Sequence, residues 1–548
     1  LAGVLVTVRW QLLSCLDTWS GRCLAYLETP SKSSQRCRLV GLGLILGLGF
    51  CLRVYRLTKE DLDSDENTSY DATRGILRTG IPIATSGIWY TRGPVFHYLL
   101  ALWLRLVGDS VFNARFFSVV FGTATLLLMY YITQKVTGRV WIALVVMLIL
   151  AINPWELWYS RFIRFYQMVQ FTTLLAVWAF VRGFIDDAGR RYQYVFFGAL
   201  TGTLLIQEVS LTITPGFLMG YLCFARRFRW RYDWRLWLSA LMLITIFAYD
   251  IFFFKIKCLT PWTALSASTA SYLKPHLLDV TGFFACFFIG PNRLEILYTA
   301  FFLAGFIYCL RQQKGLALFL FSFVLINLLV LTLLTFQIAE RYAYSVYPLF
   351  IMLAVYSAIA LTQSLVQALQ HGPFNAWPVR AIATVCLVLL LVSNLELGRI
   401  AHSYSQAIGR RNTEIFEYIR DHRQPGDVVI SPTPSFGPVT IGPVDYFLMG
   451  TWYFDATYWR DGRLLDRWGG GVIVTNLDQL ENILETSQRV WIHVDDARQS
   501  RLSAQMLEYI QTVGKPVYDT FGTSLRLWDA ADGWIPHTPE QGKGLGGY

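Results

Sequence analysis

The feature that most constrains this chain is a series of apolar runs, several of them near the length needed to cross a bilayer. They occur at 39–57, 114–134, 140–152, 166–184, 194–206, 209–225, 236–254, 296–310, 315–336, 345–366 and 381–398. A transmembrane helix needs about 20 mainly apolar residues, so the runs predict about eleven such helices. Charged residues make up only 15% of the chain, against roughly 25% in soluble domains. The sequence therefore predicts a polytopic α-helical membrane protein.

The placement of lysine and arginine predicts the orientation of these helices. With the N-terminus inside, the short inner loops (135–139, 182–192, 225–235 and 311–314) hold twelve of these residues, and the short outer loops (153–166, 207–208 and 337–342) hold three. Positively charged loops resist translocation. The net charge of +10 is therefore mainly a topology signal, and we expect no nucleic-acid partner. We expect an integral protein of the plasma (inner) membrane.

The chain divides into three predicted parts. Residues 1–38 are basic and predict a cytoplasmic, interfacial segment rather than a removable signal peptide. Residues 39–400 predict a transmembrane module with long outer loops at 58–113 and 255–295, and Pro94–Val107 predicts a helix along the membrane surface. Residues 401–548 predict a periplasmic or extracellular α/β domain with a mostly parallel sheet. Its strand signals lie at 428–430, 472–474, 490–494, near 517 and at 525–527, and its helix signals at 412–422, 477–486 and 500–512.

Cysteine and histidine spacing predicts no metal or disulfide chemistry. The nine cysteines contain no CxxC pair, and the seven histidines show no HxxxH or HExxH spacing. We therefore expect neither a disulfide framework nor a zinc site.

Two acids follow the first apolar run, Asp65 and Glu66 in Leu62-Asp63-Ser64-Asp65-Glu66-Asn67-Thr68. In a soluble protein such a pair is usually solvated surface. In a membrane protein, an acid just beyond the membrane boundary can act as a general base toward a hydroxyl or an amine. We predict Asp65 as the base and Glu66 as a second acid that positions a partner.

Further charged and aromatic residues fall at predicted outer helix ends. A guanidinium can bind a phosphate through two hydrogen bonds, although Arg92 alone is equally compatible with a contact to lipid headgroups. The three-residue spacing of Arg161 and Arg164 predicts one helical turn. Glu208, close to the hydrocarbon, predicts a functional role, with a water-exposed hairpin cap as the alternative. The candidates are Arg92, Arg161, Arg164 and Arg341 for phosphate, and Tyr166, Glu208, Tyr342 and His97 for substrate.

These pieces in this order resemble the polyprenyl-phosphate-sugar-dependent glycosyltransferases of the GT-C superfamily. The resemblance is to members similar to protein O-mannosyltransferases and the lipid A aminoarabinose transferase (family 39/83-like). The matching pieces are Asp65-Glu66 with 76–82, Arg92-Gly93-Pro94, 114–118, Ser160-Arg161 with Arg164 and Tyr166, and Arg341-Tyr342 leading to Pro348. This chain departs from the pattern at Gly93-Pro94, where relatives often have two prolines, at Arg92, where they often have lysine, and at Tyr166, where some have an acid.

The resemblance implies an inverting transfer of a hexose or pentose from a polyprenyl-phosphate donor to a hydroxyl or amine of a protein, lipid or glycan acceptor. Asp65 would deprotonate the acceptor at the outer face, and the arginines would stabilise the departing lipid phosphate. No cofactor is predicted, and the resemblance leaves the participation of a divalent metal open. The alternative is a transporter or flippase of lipid-linked glycans, which predicts charged or broken helices near the bilayer midplane.

Overall fold

The computed structural model describes residues 28–29, 31–224, 233–252, 296–334, 340–370, 411–449, 457–496, 498–499 and 502–532. The predicted span at 381–398, the loop at 255–295 and most of the segment 1–38 lie outside the described residues. The domain boundaries near residues 38 and 400 therefore stay predictions.

Helices account for most of the described chain. In chain order they are α1 (Lys32–Val54), α2 (Ser64–Thr79), α3 (Pro94–Val107), α4 (Val111–Thr137), α5 (Val140–Ile152), α6 (Pro154–Tyr159), α7 (Tyr166–Phe180), α8 (Arg190–Ile206), α9 (Thr214–Phe224), α10 (Trp234–Tyr249), α11 (Ile296–Arg311), α12 (Gly315–Leu334), α13 (Tyr347–Gln370), α14 (Asn412–His422), α15 (Gly437–Thr440), α16 (Leu477–Thr486) and α17 (Ala504–Thr512).

The chain forms two compact units that are discontinuous in sequence. The membrane unit contains the described residues of Leu1–Lys59, Thr91–Leu259 and Ser266–Gln406. The α/β unit contains those of Glu60–Tyr90 and Ala407–Tyr548.

The membrane unit carries the apolar helices. Among the described residues, six helices are long and apolar enough to cross a membrane: Lys32–Val54, Val111–Thr137, Tyr166–Ile185, Trp234–Phe252, Gly315–Leu333 and Tyr344–Ala368. Shorter apolar helices cover Pro94–Val107, Val140–Ile152, Glu208–Phe224 and Ile296–Arg311. The chain is therefore an integral membrane protein, and the total of about eleven spans stays a prediction.

Close packing in the membrane unit relies on small residues. Helix α11 packs on α13, and a Cβ on Gly305 would lie only 1.7 Å from Oγ of Ser357. Helices in lipid gain little from apolar burial against each other, so close backbone approach through small residues provides much of the contact.

The described part of the α/β unit is built on one sheet of eight strands. They are β1 (Val428–Ser431), β2 (Tyr446–Leu448), β3 (Thr457–Arg460), β4 (Arg463–Asp466), β5 (Val472–Val474), β6 (Arg489–Asp495), β7 (Lys515–Thr520) and β8 (Thr523–Asp529). Their order is β3-β4-β5-β2-β1-β6-β8-β7. Ile430 of β1 pairs with Tyr446 of β2 on one side and with Ile492 of β6 on the other. Buried Leu480, Leu484 and Ile510 of α16 and α17 pack on the sheet.

The prediction of a mostly parallel sheet is wrong. Only β5, β2, β1 and β6 run parallel, and antiparallel strands extend the sheet at both edges. The reason is two hairpins with two-residue loops, Asp461-Gly462 and Phe521-Gly522, which can join only antiparallel strands. Asp461 and Gly462 have φ of 51° and 74°, the left-handed values of a type I′ turn.

The other predicted elements of this domain are largely confirmed. The strands expected at 428–430, 472–474, 490–494, near 517 and at 525–527 are present, as are the helices at 412–422 and 477–486. The helix expected from residue 500 begins instead at Ala504, because the Ser503 side chain accepts a hydrogen bond from the Met506 N–H at 3.2 Å and caps it there.

Candidate functional site

The two predicted acids lie in the first turn of α2. Asp63 is the N-cap, and its Oδ1 accepts a hydrogen bond from the Asp65 N–H at 2.8 Å. The Glu66 side chain makes the reciprocal hydrogen bond: its Oε2 accepts from the Asp63 N–H at 3.1 Å. This reciprocal capping box fixes the start of the helix, and the helix dipole favours acids in its first turn. The first half of the outer loop predicted at 58–113 thus contains a helix. The sequence signals its start, because an acid follows Asp63 by three residues, the spacing of a capping box.

The acids differ in accessibility. Glu66 is only 1% exposed and its carboxylate takes part in the cap, whereas Asp65 is half-buried. A carboxylate that reaches the surface can receive a proton from an incoming acceptor, which favours Asp65 over Glu66 as a base.

A third carboxylate on α2, Asp71, was not predicted from sequence. It is buried and accepts hydrogen bonds from the Thr85 N–H at 2.7 Å and the Thr85 hydroxyl at 2.6 Å. Burial raises the pKa of Asp71, and the hydrogen bonds from Thr85 oppose that rise. Asp71 therefore ties α2 to the segment that follows it.

In the membrane unit, Arg92 lies just before Gly93, the N-cap of α3. Gly93 has a left-handed φ of 61° and Pro94 occupies the first helical turn, so the Gly-Pro pair sets the direction in which α3 begins. Arg92 is half-buried. His97 is fully buried, with Nδ1 2.8 Å from the Gly93 carbonyl oxygen.

Gly93 also brings neighbouring segments together. A Cβ at this position would lie 3.0 Å from the Ile206 carbonyl oxygen and 3.0 Å from Cδ1 of Phe165. The start of α3 therefore lies against the end of α8, next to Glu208, and against the segment that carries Arg164.

The prediction that Arg161 and Arg164 share one helical turn is wrong. Residues 160–165 form a non-helical turn between α6 and α7. The Arg161 N–H donates to the Trp158 carbonyl at 3.1 Å and the Arg164 N–H to the Phe162 carbonyl at 2.7 Å. These short-range bonds replace the helical pattern, so the three-residue spacing does not place the side chains on one helix face.

The Arg161 side chain contacts the end of α1. Its Nη atoms donate to the carbonyl oxygens of Leu52 at 3.4 Å and Arg56 at 3.0 Å. Arg115 Nη1 donates to the carbonyl oxygen of Leu57 at 2.8 Å. Leu52 lies in the last turn of α1, where carbonyl groups lack partners within the helix, and Arg56 and Leu57 lie in the turn that follows. The two buried arginines therefore hold the end of α1 and this turn in place. A phosphate-binding role for Arg161 stays a prediction.

Aromatic contacts bring the segment that holds Arg164 and Tyr166 next to the segment that follows Tyr342. The Arg164 guanidinium lies 4.8 Å from the Phe165 ring centre. The Tyr159 ring lies 5.2 Å from Tyr166 and 4.5 Å from Tyr344. The Tyr166 segment and the one that follows Tyr342 are therefore adjacent.

Arg341 and Glu208 also lie in the membrane unit. Arg341 is half-buried in the 3-10 turn Glu340–Tyr342 and lies 5.7 Å over the Tyr342 ring. Glu208 is half-buried and begins the 3-10 helix Glu208–Ile213.

The membrane unit thus gathers four short segments that are distant in sequence. They are 92–97, 161–166, 206–208 and 341–344, which hold eight of the candidates named from the sequence. Asp65 and Glu66 belong to the α/β unit.

Sequence reasoning missed a buried polar network centred on Glu156. Its Oε1 accepts from Gln170 Nε2 at 2.8 Å, and its Oε2 lies 3.1 Å from the Tyr344 hydroxyl. That hydroxyl is also 2.7 Å from Oε1 of Gln167. Burial raises the pKa of Glu156 to about 7, although the charge of Arg53 and the hydrogen bonds from Gln170 and Tyr344 act against the rise.

The network connects two segments of the candidate site that are far apart in sequence. Glu156 precedes the turn with Arg161 and Arg164, and Tyr344 follows Arg341. A sequence signal was available, because a lone ionisable residue among apolar runs is a functional hypothesis by default. Glu156 and the buried Arg53 both meet that description.

Within the part of the chain that the structure describes, no group of three or more His, Cys, Asp or Glu side chains is placed to hold a metal ion.

Several solved structures share this fold. ArnT from Cupriavidus metallidurans in the apo state has 12% identity and a TM-score of 0.61, with 90% of this chain and 98% of that chain covered. The same protein bound to undecaprenyl phosphate has 13% identity and a TM-score of 0.61, covering 89% and 97%. The archaeal oligosaccharyltransferase AglB from Archaeoglobus fulgidus, in complex with an inhibitory peptide and a dolichol-phosphate, has 13% identity and a TM-score of 0.52, covering 93% and 76%. No curated protein sequence matches this chain.

The fold and its gathered charged segments define an integral membrane protein with a C-terminal α/β domain, and the predicted resemblance is confirmed as a likeness in fold to ArnT and AglB. Within this class, residues 91–251 match the family described as dolichyl-phosphate-mannose-protein mannosyltransferase.

Proposed function

We propose that this protein is a membrane glycosyltransferase that moves a monosaccharide from a polyprenyl-phosphate donor to a hydroxyl or amine of a protein, lipid or glycan acceptor. The transfer inverts the anomeric carbon and takes place at the periplasmic or extracellular face of the inner membrane. The acceptor oxygen or nitrogen forms the new bond as the bond from the anomeric carbon to the phosphate oxygen breaks.

One observation carries this proposal: the likeness in fold extends over 90% of this chain and 98% of ArnT. A related ArnT structure holds undecaprenyl phosphate, and the AglB structure holds a dolichol-phosphate. The match of residues 91–251 to a family named for a dolichyl-phosphate-mannose donor supports the same class of donor.

In this proposal Asp65 is the general base and Glu66 supports it by holding the helix start. A positioned base contributes about 100- to 10,000-fold to the rate. Asp65 suits the role because the residue is half-buried, whereas Glu66 is buried.

The arginines are proposed to stabilise the phosphate that leaves with the lipid. Arg92 and Arg341 are the stronger candidates because both are half-buried, whereas Arg161 is buried and donates to the carbonyl oxygens of Leu52 and Arg56. We expect alanine at Arg92 or Arg341 to lower turnover about 100-fold or more, as the loss of a donor to developing charge does elsewhere. Alanine at Arg161 should lower thermal stability as well as activity.

The test is a transfer assay with the full-length protein in nanodiscs and radiolabelled polyprenyl-phosphate sugars. The donor panel contains mannose, glucose and 4-amino-4-deoxyarabinose on undecaprenyl or dolichyl phosphate, and the acceptor panel contains membrane lipid, glycan and peptide fractions. The proposal predicts label on one acceptor class together with release of the polyprenyl phosphate. Failure to consume any donor, combined with movement of intact donor across the bilayer of proteoliposomes, would support the flippase alternative instead.

A further inference from the structure

The C-terminal domain holds the helix that carries the proposed base. Helix α2 lies in a segment, 60–90, that forms one compact unit with the described residues after 407, more than three hundred positions later. The contacts inside this unit show where the helix is attached.

The first attachment lies at the carboxyl end of β1. Strand β1 pairs with β2 on one side and with β6 on the other, and all three are parallel, so the winding direction of the sheet changes at β1. In open α/β sheets the crevice outside the carboxyl ends at such a point usually receives a ligand.

In this protein helix α2 packs at that position. After Ser431 the chain passes through the 3-10 turn Pro434–Phe436 into α15, and α2 contacts both. Ser64 and Ser435 share a hydrogen bond, with 3.1 Å between their Oγ atoms. Arg74 Nη1 donates to the Val439 carbonyl oxygen at 2.9 Å.

The second attachment precedes the helix. The Asp61 carboxylate accepts a hydrogen bond from the Thr413 N–H at 3.1 Å and another from the Thr413 hydroxyl. Thr413 lies in the first turn of α14, so Asp61 satisfies an N–H group that has no partner within the helix. An acid from the segment before α2 therefore caps a helix of the C-terminal domain.

The third attachment lies at the far end of the segment. The Tyr458 hydroxyl on β3 donates to the Ser86 carbonyl oxygen at 2.8 Å. The Tyr90 and Trp468 rings are 6.4 Å apart. Residues 60–90 are therefore held by the α/β domain at both ends.

We propose that the C-terminal α/β domain is a positioning element for catalysis, with Thr413 and Ser435 as the residues that set the place of Asp65. This inference rests on the proposed function, because it takes Asp65 as the base. Asp65 directly follows Ser64 and comes four residues after Asp61, so we expect the loss of either attachment to move its carboxylate. A displacement of about 1 Å at a reacting group can lower a rate about 100-fold.

The test is the double variant Thr413→Val/Ser435→Ala in the full-length protein. Both substitutions nearly preserve side-chain size and remove only hydroxyl groups. The expected result is a fall in kcat of about tenfold or more, with the KM for the lipid donor within about twofold of wild type. Hydrogen exchange of the α2 amides should become faster. Thr413→Ser restores the hydroxyl and should keep wild-type kcat.

The matched control is Thr486→Val, which removes a hydroxyl that donates within its own helix, to the Asn482 carbonyl at 2.6 Å. A folded double variant with wild-type kcat and unchanged exchange in α2 would overturn the inference. If the double variant loses its thermal transition, Ser435→Ala alone provides the test, and unchanged kcat and unchanged α2 exchange in it would again contradict us.

Asp65→Asn, assayed in parallel, separates the two claims. An active Asp65→Asn enzyme refutes the proposed base. An inactive Asp65→Asn enzyme together with a fully active, folded double variant refutes only the positioning role of the domain.

Discussion

Replacing Glu156 by glutamine tests the buried network of the membrane unit without changing its shape. The Tyr344 hydroxyl has a single proton but lies 2.7 Å from Gln167 Oε1 and 3.1 Å from Glu156 Oε2. It can donate to only one of these oxygens. If it donates to Gln167, a protonated Glu156 supplies the second hydrogen bond by donating to Tyr344. A glutamine amide at this position would donate in the same place, so Glu156→Gln mimics the neutral acid.

The magnitude follows from the pKa. Burial, opposed by the charge of Arg53 and by hydrogen bonds from Gln170 and Tyr344, raises the pKa of Glu156 from 4.5 to about 7. The folded protein therefore binds the proton more tightly than the unfolded chain does. This contribution to stability is fully present below pH 4.5 and is lost as the pH rises through about 7. At about 1.4 kcal/mol per pH unit, the full effect is about 3 kcal/mol.

The assay is thermal unfolding in detergent at a fixed scan rate, for wild type and Glu156→Gln across about pH 5 to pH 8. The variant should be close to wild type at the acidic end. It should become more stable than wild type by about 2–3 kcal/mol at the basic end, because glutamine does not titrate. Glu485→Gln makes the same chemical change at an exposed position and is the matched control.

A variant that is less stable than wild type by a constant amount at every pH would refute this reasoning. That result would mean that Glu156 is ionised in the folded protein at neutral pH and that its charge stabilises the network.

Two further predictions concern close backbone contacts. Gly75→Ala should lower thermal stability by about 1–3 kcal/mol, although alanine normally favours a helix, because the new Cβ would lie 2.1 Å from the Ile83 carbonyl oxygen. Gly305→Ala should destabilise the membrane unit by a similar amount, because its Cβ would lie 1.7 Å from Oγ of Ser357. Gly202→Ala, where the added Cβ meets nothing within 4 Å, is the helical control for both, and differential scanning fluorimetry provides the comparison.

Local sequence patterns predicted much of this fold because they reflect local physics. Apolar length identifies the membrane helices, and alternation with β-branched residues identifies the strands around Ile430 and Ile492. The antiparallel part of the sheet could also have been predicted, since Asp461-Gly462 is a hairpin signal between two short strands. The capping box at Asp63 and Glu66 could likewise have predicted the start of α2.

The arrangement of distant segments was not predictable from those patterns. The contact of Asp61 with Thr413 joins residues 352 positions apart, and no periodicity links them. The contacts of the Arg161 side chain were not predictable for the same reason. Its charge and position suggested phosphate binding, but its contacts with the end of α1 depend on where that helix stops, which is a matter of tertiary packing.

The most direct test of the central claim is turnover of the polyprenyl-phosphate donor by Asp65→Asn beside Asp63→Asn. Asparagine remains a good N-cap residue, so Asp63→Asn makes the same chemical change two positions away and should keep activity near wild type. Asp65→Asn should fold normally and lose about 100-fold or more in kcat, because it removes the proposed base. Wild-type turnover in a folded Asp65→Asn protein would contradict the account.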